Sequence, residues 1–178
     1  MYRLLTKYRP SEFYNLAAQS HVRVSFDIPE NTVDGIAMGT LRILEAIRNI
    51  LPTCKFYQAS SSEMYGDNPK YPYDEDSRLM PASPYSCAKV FAHNLMLQQE
   101  KPEDFVISTG ETHSVKEFLE FVFEAAGLDV SKHVEIDQRL LRPHEVPYLL
   151  GDSTKAKEKL GWTPKITFKE LAKLMFEE

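Results

Sequence analysis

Residues 33–66, VDGIAMGTLRILEAIRNILPTCKFYQASSSEMYG, carry the reading that decides the fold. Ile36, Leu41, Leu44, Ile47 and then Ile50 or Leu51 recur at helical spacing, which predicts an amphipathic helix over 33–51. CKFYQAS (54–60) predicts a short strand, and the hydroxyl-rich SSSEMYG (60–66) closes it. Upstream, SEFYNLAA (11–18) reads as a second short strand, so a helix joins two strands. Residues 66–84 hold four prolines among Asp, Asn and Ser and form a loop. Ser83, Pro84 and Tyr85 then open a helix that runs to about Gln99, with serine as its cap and proline in its first turn. EDFVIST (103–109) predicts a third strand and HVEID (133–137) a short edge strand. Ser114 with Glu117 forms a capping box for VKEFLEFVFEAAG, which Gly127 stops. Asp152 or Ser153 caps TKAKEKLG, and Thr167 with Glu170 opens the last helix. Strands alternating with helices give an α/β class, a parallel sheet with flanking helices.

Bulk composition narrows the function classes. The 178 residues suffice for one domain, or a small domain with an appendage, and a real core. The net charge of −5 offers no basic stripe for nucleic acid, although a single nucleotide needs only one or two local cations. Cys54 and Cys87 provide neither a disulfide framework nor metal spacing and read as small buried fillers in a reducing compartment. The five histidines lack ligand spacing, so no metal is assigned; His21 and His113 read as packing or capping residues. No apolar run reaches membrane length and MYRLLTKYRP has no apolar targeting region, so the expectation is a cytoplasmic protein.

Chemistry concentrates in two places. Tyr85 and Lys89 stand at i and i+4, on one face of a helix, where an ammonium can act on a phenol. A free phenol titrates near about 10 and is a poor base at neutral pH, but a neighbouring cation favours the phenolate that acid–base work needs. The pair by itself also fits ordinary surface decoration. Open α/β sheets bind ligands beyond the carboxyl ends of their strands, which is where Ser61, Ser62 and Glu63 fall. A plain polar turn is the other reading of the triple serine.

The order of motifs is more specific than either feature. EFYNLAAQSHVRVSFDIPENTVDGIAMGTLRILEAIR, FYQASSSEMYG, PASPYSCAKVFAH, PEDFVISTGETHSVKEFLE and RPHEVPYLLGDSTKAKEKLGW together resemble the extended short-chain dehydrogenase/reductases, and within them the GDP-mannose 4,6-dehydratases. The resemblance implies a partial Rossmann-like parallel sheet over 1–100 and a small C-terminal α/β substrate-binding portion over 101–178. It implies NADP as cofactor and GDP-mannose or a related nucleotide sugar as substrate. Tyr85 would take the C4 hydroxyl proton, and Lys89 would hold the nicotinamide ribose and favour the phenolate. Glu63 would take the C5 proton, and Ser61 would hydrogen-bond the C4 oxygen where the family usually has threonine. Ser62 would assist beside Glu63. Leu16, Ala17, Ala18, Gln19 and Ser20 would line the cofactor, while Asn31 replaces a cofactor-contacting tyrosine. Arg142 and Glu145 would lie near the nucleotide diphosphate and ribose, where a planar guanidinium fork suits phosphate oxygens.

Two departures accompany the resemblance. None of the seven glycines fits the family's Gly-x-x-Gly-x-x-Gly phosphate turn, and the chain reads as starting just before the family's fourth strand. Around His93 to Leu95 the Tyr85 helix runs almost directly into a much later family segment. Two functions follow: a shortened dehydratase, expected to be weakly active or inactive, and a non-catalytic remnant acting as a binding or structural partner. A nucleotide-sugar epimerase is the nearest enzymatic rival; Glu63 speaks against it, since C5 deprotonation is a dehydratase step. The helices over 33–51 and 84–99 are the expected homo-oligomer surface.

Overall fold

The computed structural model describes residues 1–98 and 101–177. The chain divides into two compact units: residues 1–69, 78–104 and 142–147, and residues 70–77, 105–141 and 148–178.

The first unit is built on two strands, β1 (Glu12–Asn15) and β2 (Lys55–Gln58), paired in parallel with Phe13 opposite Phe56 and Asn15 opposite Gln58. Each lies inside the expected 11–18 and 54–60 segments. Parallel strands need a long crossover, and from Val22 to Ile50 it is almost entirely helical: α2 (Val22–Asp27), α3 (Pro29–Val33), a π-helical turn (Asp34–Met38) and α4 (Gly39–Ile50). The helix expected over 33–51 is therefore interrupted by a π turn. The extra residue of such a turn re-aims the apolar stripe. Ile36 and Ala37 pack with Val22, Tyr85 and Ala88, whereas Ala46 and Ile47 pack with Leu5, Leu51 and Cys54.

Period-two alternation separates the two faces of the sheet. Phe13 and Phe56 stack at 5.7 Å and close the core made by Leu5, Ala46, Ile47, Leu51 and Cys54. Asn15 is buried on that face and donates to Gln58 Oε1 at 2.8 Å and Thr40 Oγ1 at 3.3 Å, which satisfies its amide. Tyr14 and Tyr57 point the other way and are exposed. Leu5 comes from α1 (Tyr2–Tyr8), a helix the sequence analysis did not predict.

Three expectations are corrected and a fourth runs past the described residues. EDFVIST (103–109) is irregular rather than a strand: the Val106 N–H donates to the Glu75 carboxylate at 2.6 Å, so a side chain takes the place of a ladder partner. HVEID (133–137) is not an edge strand; His133 ends α7 (Val130–His133), which Asp129 caps, and the residues after it pair with no strand among the described residues. The Tyr85 helix, α5, spans Pro84–Leu97, and Gln99 lies outside the described residues. Cys54 is buried as expected, but Cys87 is exposed because that side of α5 faces away from the apolar cluster around Tyr85 and Ala88.

Capping was legible. Ser83 Oγ accepts from the Ser86 N–H at 3.0 Å and Ser86 Oγ accepts from the Ser83 N–H at 2.9 Å, a reciprocal box with Pro84 in the first turn. Both serines are buried. Ser83→Ala is expected to cost about 1 kcal/mol, because it removes the hydroxyl that caps the Ser86 N–H, while the Ser86 hydroxyl keeps its bonds to the Ser83 backbone. Urea denaturation monitored by circular dichroism checks this, and an unchanged midpoint would remove the cap from the account.

The second unit holds α6 (Val115–Ala125), α7, α8 (Thr154–Leu160) and α9 (Phe168–Glu177). The Ser114–Glu117 and Thr167–Glu170 boxes both form. Gly127, at φ 67°, follows α6. Asp152, rather than Ser153, supplies the capping carboxylate of α8, accepting from the Thr154 hydroxyl at 2.6 Å and the Thr154 N–H at 2.9 Å, and these bonds hold its carboxyl below the usual range. His113 stacks on Phe168 at 3.8 Å and His21 caps α2 by accepting from the Val24 N–H, so both histidines have the packing and capping roles expected. Among the described residues no helix is long and apolar enough to cross a membrane.

Candidate active site

The site grows from the carboxyl end of β2 in the first unit. The strand stops at Gln58, and Ser61 becomes the cap of a 3₁₀ turn (Ser62–Met64), its Oγ accepting from the Glu63 N–H at 3.3 Å. Glu63 is thereby held one residue into a tight turn, with its side chain only 17% exposed. Ser62, beside it, is exposed.

Helix α5 brings the second half. The Ser83 box sets where the helix starts, so Tyr85 sits in its first turn and Lys89 one turn on. Both are buried, Tyr85 at 7% and Lys89 at 3% exposure. Tyr85 packs against Val22, Ile36, Ala37 and Ala88, with Ala18 at the margin. Lys89 Nζ lies 5.7 Å from the centre of the Tyr85 ring and donates to the Ala59 carbonyl at 2.9 Å. Burial pushes the Lys89 amine below its ordinary pKa, since the charged form loses water that one carbonyl replaces incompletely. An ammonium carries three donors, so two remain for ligand hydroxyls.

Arg142 joins the site from 79 positions away. Its Nη1 donates to Glu63 Oε1 at 3.0 Å and to Glu145 Oε1 at 2.9 Å, so one nitrogen bridges two carboxylates. Arg142 and Glu145 are thus gathered beside Glu63, a contact that no spacing in the sequence announces.

The residues expected to line a cofactor follow β1. Leu16, Ala17 and Ser20 are exposed, and Ala18 and Gln19 are half-buried. Gln19 Oε1 accepts from the His21 N–H, while its Nε2 is buried without a hydrogen-bond partner among the described residues. A buried donor left unpaired is costly unless a ligand satisfies it. Gln19 Nε2 and the Lys89 donors that Ala59 leaves are groups here able to donate to the oxygens of a ligand. Asn31 is exposed on α3. Among the described residues no group of three metal-ligating side chains occurs.

A model of the family described as GDP-mannose 4,6 dehydratase matches residues 1–95 and again 90–175. The chain belongs to this family. GDP-mannose 4,6 dehydratase 1 of Arabidopsis thaliana is 38% identical over 252 residues, covering 99% of this chain and 70% of the relative. The Vibrio cholerae GDP-mannose 4,6-dehydratase is 35% identical, with 99% and 74% covered. The human relative is 32% identical, with 97% and 71% covered. Among solved structures, the UDP-glucose 4-epimerase of Thermotoga maritima with UDP-glucose superposes at a TM-score of 0.81 and 25% identity, covering 99% of this chain and 79% of that one. RMD from Pseudomonas aeruginosa, complexed with NADPH, has a TM-score of 0.82 at 18% identity, with 99% and 84% covered, and shows the shared Rossmann-like fold.

These alignments to the dehydratase family are longer than the chain, 252 residues against 178 for the first plant relative. The two pieces matched by the family model meet at 90–95, inside α5, where the sequence reading puts a shortened middle. Ala59, Ser60 and His93 went unremarked as site residues. His93 had one usable signal, its position four residues beyond Lys89 and eight beyond Tyr85 on a single helix.

Proposed function

We propose that this chain acts as a GDP-mannose 4,6-dehydratase, converting GDP-mannose to GDP-4-keto-6-deoxymannose with NADP. The observation that carries the reading is the pairing of a buried Tyr85–Lys89 face with a capped Ser61–Glu63 turn, tied together through the Ala59 carbonyl, in a chain of this family. The cofactor supplies the acceptor and donor of hydride. Tyr85 takes the proton of the C4 hydroxyl as C4 is oxidised, and the Ser61 hydroxyl holds the C4 oxygen. The new ketone acidifies C5, whose proton Glu63 takes and passes to the C6 hydroxyl, which leaves as water; the hydride removed from C4 then returns to C6, and the proton held by Tyr85 goes to C5. Lys89 keeps the nicotinamide ribose in place with the donors that Ala59 does not use, and Ser62 assists beside Glu63. Leu16, Ala17, Ala18, Gln19 and Ser20 form the cofactor edge in this reading.

Arg142 is the substrate clamp. A guanidinium already bridging two carboxylates is placed to exchange one of them for a diphosphate, and that exchange would free Glu63 to act as a base. Residues 1–100 are read as the cofactor portion and 101–178 as the sugar-nucleotide portion of a cytoplasmic homo-oligomer assembled through the 33–51 and 84–99 helices, which sedimentation of the purified chain tests.

One observation favours a second reading, a non-catalytic binding partner: the family alignment breaks inside α5, so a stretch present in the relatives has no counterpart here. Titration calorimetry with NADP and then GDP-mannose separates the two. The dehydratase reading predicts saturable heat with NADP and a 4-keto product. A folded circular-dichroism spectrum with no heat and no product would overturn the dehydratase reading and support the partner reading instead.

A further inference from the structure

Tyr85, Lys89 and His93 recur every fourth residue and share one face of α5. Their anchors on the strand side are consecutive as well. Lys89 Nζ binds the carbonyl of Ala59 at 2.9 Å, and His93 Nδ1 lies 3.2 Å from the hydroxyl of Ser60. Two successive turns of the helix are therefore fastened to two successive residues at the carboxyl end of β2. The other ring nitrogen, Nε2, is 3.7 Å from Asp104 Oδ2.

We propose that His93 is a positioning residue for the dehydratase reaction: its neutral ring accepts the Ser60 hydroxyl proton at Nδ1 and thereby orients the start of the Ser61–Glu63 turn, with Asp104 selecting the tautomer. This rests on the dehydratase reading given above. At 3.7 Å Asp104 acts through its charge rather than as a hydrogen-bond acceptor, and that negative charge favours the ring proton on Nε2, leaving the Nδ1 lone pair for Ser60. The His93 side chain is 15% exposed, and burial holds its pKa below the ordinary histidine value despite the opposing pull of Asp104. The neutral, accepting ring is then the form present at neutral pH. In acid the ring gains a proton, Nδ1–H becomes a donor, and the Ser60 hydroxyl must turn round.

The charges on neighbouring elements are engaged elsewhere. Arg23 pairs with Asp27 on α2, Arg42 with Asp34, and Glu63 with Arg142, while Lys89 is held by Ala59. Asp104 is the charge that acts on the ring. Ser60 lies in the first piece matched by the family model, Asp104 in the second, and His93 in the stretch where the two overlap.

The test is nitrogen-15 NMR of the histidine side chains in the whole chain, with turnover followed in parallel. The expected result is an Nε2-protonated His93 titrating below the ordinary histidine range. Ser60→Ala should move the Nδ1 shift toward that of an unbonded nitrogen, and Asp104→Asn should lower the pKa further and mix the tautomers. In turnover, His93→Leu should lower kcat about tenfold, the worth of one hydrogen bond, with KM unchanged. His93→Gln, which keeps an acceptor, should recover most of the rate and lose the acid limb of the pH profile. An Nδ1-protonated ring, or an Nδ1 shift indifferent to Ser60→Ala, overturns the proposal. The NMR arm needs no turnover, so its failure leaves the dehydratase reading standing. A wild-type chain that makes no product overturns that reading and, with it, the catalytic part of this one.

Discussion

Gly66→Ala is expected to destabilise the first unit by about 2–4 kcal/mol, among the largest effects of any single methyl added to this chain. Gly66 follows the turn that carries Glu63 and has φ +51°, in the left-handed region. A Cβ there would lie 1.8 Å from the Met80 carbonyl oxygen and 2.8 Å from its carbon. These are backbone atoms and cannot swing aside as a side chain could. Their position is fixed by the Met80 N–H donating to the Met64 carbonyl at 3.0 Å, so relieving the clash breaks the contact between the Glu63 turn and the loop returning toward α5. Gly35→Ala is the control: nothing lies within 4 Å of its would-be Cβ, its φ is not positive, and alanine is the better helix former. Urea denaturation of the two variants decides. Equal midpoints would show that the Glu63 turn is not held as described.

Tyr85→Phe should lower formation of the 4-keto product by about 10²–10⁴-fold, the usual worth of a positioned acid–base group. The two side chains have nearly the same shape, and the ring packs against Val22, Ile36, Ala37 and Ala88, so the core is left filled. Stability by denaturation should change by less than about 1 kcal/mol. The split between lost chemistry and retained fold is the informative result. Product formation that survives the substitution would remove Tyr85 from the mechanism, and a large loss of stability would mean that the phenol is structural.

What could be read from the residues alone was local. The cap at Ser83 and the boxes at Ser114 and Thr167 were legible because a cap and its partner lie three residues apart and the hydrogen bonds close within one turn, whereas the reciprocal Ser86 bond at Ser83 came only with the structure. The pairing of Tyr85 with Lys89 needed only the pitch of a helix. Motif order did the rest for family membership. Strand existence was less secure: β1 and β2 form where expected, but 103–109 does not, since a strand requires a neighbour and Val106 found the Glu75 carboxylate instead.

Residue order alone was enough to show an α/β chain of the GDP-mannose 4,6 dehydratase family, where α5 begins, and which acidic and phenolic groups are available, because these depend on contacts within a few residues or on motifs in series. It took the folded chain to show that Arg142 bridges Glu63 and Glu145, that Lys89 is anchored on Ala59, and that His93 meets Ser60 and Asp104. Most of those partners lie about 30 to 80 positions apart in the chain. The physical reason is that long-range partners are chosen by which surfaces remain unburied after the helices pack, a choice that no local spacing encodes.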